Sequence, residues 1–108
     1  MPTYTEGLTS TDVSELIASA QLPLLLNFGA EWCPPCHALA PVLAEIASEH
    51  PDAIEVHKVN VDEVPDLVVR YDISSAPTLL LFVDGEQVLR IVGARPKAAL
   101  LEALSPHL

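Results

Sequence analysis

The two cysteines of this chain stand two residues apart, in Trp32-Cys33-Pro34-Pro35-Cys36-His37. Thiols at that spacing can close a small disulfide ring and reopen it, which is the chemistry of dithiol exchange. Three other uses of the pair are weaker. A disulfide that only staples a fold gains stability by closing a long loop, and the segment from Cys33 to Cys36 closes almost none. Structural zinc takes four protein ligands; Cys33, Cys36 and His37 offer three at most, and His50, His57 and His107 stand at no ligand spacing from them. Cys33-Pro34-Pro35-Cys36-His37 also reads as C-x-x-C-H, the haem-attachment pattern. Attachment of that kind goes with export, for which the chain carries no signal, and two prolines stiffen a segment that would have to wrap the macrocycle.

The rest of the chain narrows the setting of this pair. Its 108 residues suit one domain spanning 1–108, and with half of them hydrophobic the core needs no metal or disulfide to hold it. Fifteen acids against five bases give a net charge of -10 with no cationic run, which argues against nucleic acid and anionic membrane surfaces as partners. Residues 1–20 carry Glu6, Asp12 and Glu15 and no lysine or arginine, the opposite of a secretory leader. The longest apolar run, 22–30, is interrupted by Pro23 and Asn27 and is too short to span a membrane. These features predict a cytoplasmic protein, and in a reducing compartment a cysteine pair is catalytic more often than structural.

Elements that could position the pair follow from hydrophobic spacing. Ser10-Thr11-Asp12 before Val13, Leu16, Ile17 and Ala20 predicts a helix over about 11–20. Leu24 to Phe28 is a nearly continuous apolar run, suited to a central strand covered on both faces, and the cysteines lie just past its end. Ala38, Leu39, Val42, Leu43, Ile46 and Ala47 mark a helix that ends near His50-Pro51 and is expected to bend at Pro41. Pro35 restricts Pro34, so this helix is expected to begin at about Pro35. Residues 54–61 alternate as a second core strand, and 62–71 read as one short helix with Val64, Leu67 and Val68 inward. Strands over 78–83 and 87–92 are joined by a tight turn at Asp84-Gly85; Gly93 breaks the second, and Pro96 opens a last helix through Leu104. With a possible extra strand at 3–5, the order predicts an α/β fold with a central mixed sheet of four to five strands and helices on both faces.

Several separated signals now fall into one order: Phe28, Ala30-Glu31-Trp32-Cys33 through Pro35-Cys36, Ala40-Pro41, Lys58-Val59-Asn60-Val61-Asp62, Ala76-Pro77-Thr78, Asp84-Gly85 and Val92-Gly93-Ala94. Together they resemble the thioredoxin family over about residues 3–106. The resemblance implies the thioredoxin fold and thiol–disulfide exchange with no cofactor beyond the Cys33–Cys36 pair. It implies disulfide-containing client proteins and a thioredoxin reductase as partners, and a monomer. Cys33 would be the nucleophile and Cys36 the resolving thiol. The charge at a helix N-terminus independently favours a thiolate at Cys33, while Cys36, inside the first turn, is expected to be the more buried. Ala76-Pro77 would be a cis peptide lying against the pair and leaving the Ala76 backbone to bind an extended client. Trp32, Ala76, Val92, Gly93 and Ala94 would form the apolar docking surface, where the bare Gly93 lets another backbone approach.

Departures from the family pattern cluster at the same place. Asn27 stands where an aspartate usually helps move the proton of the resolving thiol; an amide can hydrogen-bond but cannot take up a proton, so a slow resolving step is expected. Pro34 replaces a common glycine, and because Pro34 and Pro35 both lack an N–H, the Cys36 amide is left as the main donor to the Cys33 sulfur. Gly29 replaces a large aromatic, and His37 a frequent lysine. Lys58 matches the family's buried lysine and is expected to meet the Asn27 carbonyl. A protein-disulfide reductase is therefore the leading reading; a slow redox sensor or assembly module is the second, fed by Asn27 and Pro34, and a thiol oxidase or isomerase the third.

Overall fold

The structure, a computed structural model, describes residues 4–5 and 7–108. Five strands form one sheet in the order β1-β3-β2-β4-β5: β1 is Tyr4–Thr5, β2 Leu24–Gly29, β3 Glu55–Asn60, β4 Thr78–Val83 and β5 Glu86–Val92. β1 and β2 pair with β3 in parallel, whereas β4 runs antiparallel to β2 and β5 antiparallel to β4. Four helices cover it: α1 (Ser10–Ser19), α2 (Pro34–Glu49), α3 (Pro65–Arg70) and α4 (Lys97–Leu104). The mixed α/β sheet read from the sequence is thus present, with the extra strand at Tyr4–Thr5; Thr3, at the start of that expected strand, lies outside the described residues.

Side-chain alternation along the strands divides the core in two. Leu25, Val56, Leu79 and Leu81 pack with Leu39, Leu43 and Ile46 of α2 and Leu100 and Leu104 of α4. On the other face Leu24, Leu26, Phe28, Val59, Leu80 and Phe82 pack with Val13 of α1 and Leu67 of α3. β2, central in the sheet, is buried at all six residues, which is why its sequence runs nearly unbroken in apolar side chains.

Several boundaries differ from the expected ones for local reasons. α1 begins at Ser10 because Thr9 caps it: the Asp12 N–H donates to Thr9 Oγ1 at 3.1 Å and the Thr9 N–H donates to Asp12 Oδ2 at 2.9 Å. α2 begins at Pro34 itself, since the first helical N–H groups have no intrahelical partner and prolines forfeit nothing there. It continues without a break through Pro41 to Glu49. The single helix expected over 62–71 is instead a 3₁₀ turn at Val61–Glu63 followed by α3. Val64 separates them at φ -133° and ψ 55°, off the helical region that a following proline disfavours. The expected hairpin turn is present, with φ 52° at Asp84 and 82° at Gly85.

Candidate active site

β2 ends at Gly29 and the chain turns sharply before α2. The Cys33 N–H donates to the Ala30 carbonyl at 3.3 Å, and Cys33 takes the N-cap position of α2 with extended φ and ψ. Its Sγ accepts the Cys36 N–H at 3.3 Å, the donor that the two intervening prolines leave available. The Cys36 and His37 amides also donate to the Cys33 carbonyl, at 3.1 and 3.3 Å. The cap is therefore a cysteine sulfur doing what a serine or aspartate oxygen usually does.

The loop before β4 closes over this sulfur. Ala76-Pro77 is a cis peptide, as expected, and the Cys33 thiol donates to the Ala76 carbonyl at 3.4 Å. Thr78 Oγ1 donates to the Ser75 carbonyl at 2.7 Å, and the Gly93 N–H donates to the Pro77 carbonyl at 2.8 Å, which ties the loop to the end of β5. Gly93 holds φ 89°, a conformation that suits glycine. Trp32 is 66% exposed and Val92 46%, with Ala94 exposed and Ala76 and Gly93 half-buried; Ala76 packs against the Cys33 and Cys36 cluster, and Gly93 is tied to its loop through the Pro77 carbonyl. A groove of about 180 Å³ is lined by Trp32, Val61, Val68, Ile73, Ser75 and Ala76. Val61, Val68 and Ile73 were missed by sequence reasoning because their apolar spacing reads equally as core. Asp62 was missed as a site residue too: its Oδ2 accepts the Trp32 indole N–H at 2.8 Å and fixes the groove wall.

Both cysteines are free thiols, and they are almost equally buried: Cys33 is 4% exposed and Cys36 3%. The expected difference in burial is thus slight, because the Ala76 carbonyl and its loop cover Cys33. Their chemistry still differs. Burial pushes the Cys36 thiol up to about 11 from an ordinary 9.0, and contact with the Cys33 thiol acts in the same direction. Cys36 is consequently a protonated thiol at neutral pH.

Beneath the pair, Asn27 is fully buried, and among the described residues neither end of its amide has a hydrogen-bond partner. This corrects the expected contact with Lys58. The two are register partners on adjacent strands and share a sheet face, yet Asn27 Oδ1 accepts nothing. Lys58 is half-buried and lines a polar cleft of about 150 Å³ with Gly7, Glu31, Asn60 and Glu63, where a long side chain keeps its charge near water. Its positive charge still acts on Cys36, favouring the thiolate against burial. Gly29 lets the resolving sulfur approach the strand closely: a Cβ there would meet Cys36 Sγ at 3.2 Å and Asn27 Oδ1 at 3.8 Å.

His37 is exposed, and its Nε2 lies 2.5 Å from the Glu31 carbonyl oxygen, to which its N–H donates. The ring therefore clasps the loop that leads into Cys33. His57 sits on the opposite sheet face, with Nε2 2.6 Å from Glu55 Oε2. Among the described residues no three histidine, cysteine, aspartate or glutamate side chains gather closely enough to hold a metal ion, and no helix is long and apolar enough to cross a membrane.

Comparison with known proteins matches the family described as Thioredoxin over residues 5–106. The chain is 42% identical over 102 residues to thioredoxin 1 of Synechococcus elongatus, covering 94% of this chain and 95% of that protein. Against the thioredoxin of Mycobacterium tuberculosis it is 46% identical over 101 residues, covering 94% of this chain and 84% of the relative. The chloroplastic M-type thioredoxin of Spinacia oleracea is 39% identical over 103 residues, 95% of this chain and 57% of the plant protein's length.

Proposed function

Because this chain belongs to the thioredoxin family and is a thiol–disulfide oxidoreductase, we propose that it works as a single-domain, monomeric reductase of protein disulfides in which Cys33 attacks and Cys36 resolves. Thioredoxins carry no cofactor; the cysteine pair is itself the redox group. The observation that carries the assignment of roles is the N-cap position of Cys33 against the Ala76 carbonyl. A client strand laid along that loop meets the Cys33 sulfur first, at the positive end of α2. Cys36, held protonated behind it, is spared from competing for the client until the mixed disulfide has formed.

Mechanistically, the Cys33 thiolate attacks one sulfur of the client disulfide and the other client sulfur leaves. Trp32, Ala76, Val92, Gly93 and Ala94 hold the client strand, with Trp32 braced by Asp62. Pro34 and Pro35 keep the sulfur at the helix end by removing the competing amides of the first turn. Pro77 fixes the loop that faces it, and Lys58 supplies positive charge near the resolving thiol. The oxidised pair is then recharged by a thioredoxin reductase. We place this activity in the cytoplasm, a reading supported by the reducing supply of electrons that a disulfide reductase depends on.

Reduction of insulin disulfides with a dithiol as electron source tests the proposal. Turnover is expected, lost in Cys33→Ser and replaced by a trapped mixed disulfide in Cys36→Ser. Turnover that persists in Cys33→Ser overturns the roles. A reduction potential above about -180 mV, in the range of oxidising and isomerising proteins, overturns the direction. Asn27 favours one second reading, a binding module that holds its partners; absent turnover combined with a partner trapped by Cys36→Ser would select it.

A further inference from the structure

Among the described residues, Asn27 is the one whose buried side-chain nitrogen and oxygen both lack a hydrogen-bond partner. A fold does not gain by this, since an amide taken out of water without partners costs free energy that a leucine would not. Leu25, the neighbour on the same face of β2, lies in the apolar cluster formed with α2, α4 and the adjoining strands. Asn27 ends elsewhere, beside the bare Gly29 and the Cys36 sulfur. Its Oδ1 and the Cys36 Sγ both lie within 4 Å of the point where a Gly29 side chain would begin.

The chemistry of that neighbour suggests a use for the orphan. A carboxamide cannot accept a proton at neutral pH, but its Nδ2 offers two N–H donors, and rotation about its last bond can present either end. A neutral Cys36 thiol has little need of a donor. The thiolate, forming in a buried place against the burial that holds its proton, needs one strongly. We propose that Asn27 donates a hydrogen bond to the Cys36 thiolate as it forms, directly or across one water, and so supports the resolving step by stabilising charge. This rests on the reductase reading above.

The step balances with no further reagent. The client is joined to Cys33 through a disulfide. Cys36 gives up its proton to water and its thiolate attacks Cys33 Sγ; the Cys33–Cys36 bond forms as the bond from Cys33 to the client sulfur breaks. The client sulfur leaves with the electron pair and takes up a proton. The cysteine pair is oxidised by two electrons and the client reduced by two.

An amide kept for this purpose should cost stability and help speed, so removing it should move the two in opposite directions. The test uses the reduced full chain and an aromatic disulfide, 5,5′-dithiobis(2-nitrobenzoate), by stopped flow. A first release of thionitrobenzoate reports attack by Cys33 and a second reports displacement by Cys36. Asn27→Leu is expected to lower the ratio of second to first rate by about tenfold to a hundredfold, the range of a hydrogen bond to a charged group. It is also expected to raise the thermal midpoint of the reduced protein. Asn27→Val and Asn27→Thr, nearly equal in shape, keep the test decisive should the leucine variant fail to fold: the threonine hydroxyl restores part of the ratio and valine does not. A ratio in Asn27→Leu equal to that of the unaltered protein, or equal ratios in the valine and threonine variants, overturns the proposal. Absence of the first release overturns the reductase reading instead.

Discussion

On one face of β2, Leu24, Leu26 and Phe28 pack into an unbroken apolar cluster beneath α1 and α3; on the other, Leu25 packs likewise beneath α2 and α4, but Asn27 and Gly29 follow it. Both faces are equally dry. The difference lies in what covers them. The second face passes under α2 along its length, from Ile46, Leu43 and Leu39 to the first turn and Cys36, and its side chains change from leucine to amide to nothing over the same distance. One strand thus carries two designs, of which the first maximises burial and the second gives up burial where the helix above it carries sulfur. Perturbing the first face should therefore be read in stability alone, and perturbing the upper end of the second in exchange kinetics.

The largest expected effect belongs to the first face. Leu26→Ala removes a fully buried side chain from a well-packed cluster and is expected to cost about 2–5 kcal/mol in denaturant unfolding. The folded fraction should keep its exchange chemistry, because Leu26 points away from the cysteines. A cost below about 1 kcal/mol would break the comparison, since this face would then be no better packed than its counterpart.

Titration of Cys36 sharpens it next. The folded protein holds this thiol proton up to about pH 11, whereas the unfolded chain releases it near the ordinary 9.0. The folded state therefore binds the proton more tightly, so the stability it contributes is full below pH 9 and is lost as pH rises from 9 to 11. The loss is on the order of 2 kcal/mol. Urea unfolding of reduced protein across that range, compared with Cys36→Ala to subtract the lysines and tyrosines, checks it. Parallel curves for the two proteins would show that no such proton is held.

A smaller effect is expected at the cap of α1, which covers the first face. Thr9→Ala removes the acceptor of the Asp12 N–H and should cost about 1 kcal/mol with no change in exchange rates. A change in rate would mean that the two faces communicate.

How much of this was legible in the sequence follows the same division. The leucines of β2, the stripe of α2 and the Asp84-Gly85 turn are local patterns, so the strands and the helices α1, α2 and α4 could be read within a residue or two. The cysteine pair and Ala76-Pro77 were legible as motifs. The break at Val64 had a signal in Pro65, outweighed by the helical spacing of Val64, Leu67 and Val68. What could not be read depends on register and reach. Asn27 and Lys58 are neighbours across strands, and only the structure separates the amide from the ammonium group. The Trp32–Asp62 bond joins positions thirty residues apart, and the His37–Glu31 clasp depends on how tightly the loop curls before Cys33.

Gly29→Ala has the smallest expected effect on stability and tests the contrast most closely. In a strand, replacing glycine gains about 0.5–1 kcal/mol by restricting the unfolded chain. The added Cβ, however, would lie 3.2 Å from Cys36 Sγ and 3.5 Å from Cys36 Cβ, so the cysteine must give way by a few tenths of an ångström. These effects oppose each other, and the net change should stay within about 0.5 kcal/mol, or a few degrees in thermal midpoint. The displacement nonetheless falls on the sulfur that must reach Cys33, and the methyl group occupies the space facing Asn27. The second release in the stopped-flow assay should therefore slow severalfold while stability hardly moves. If stability drops by more than about 1 kcal/mol, the bare position is needed for packing, and this end of the second face is governed by the same demand as the first. If neither quantity changes, the space beside Cys36 has no part in exchange.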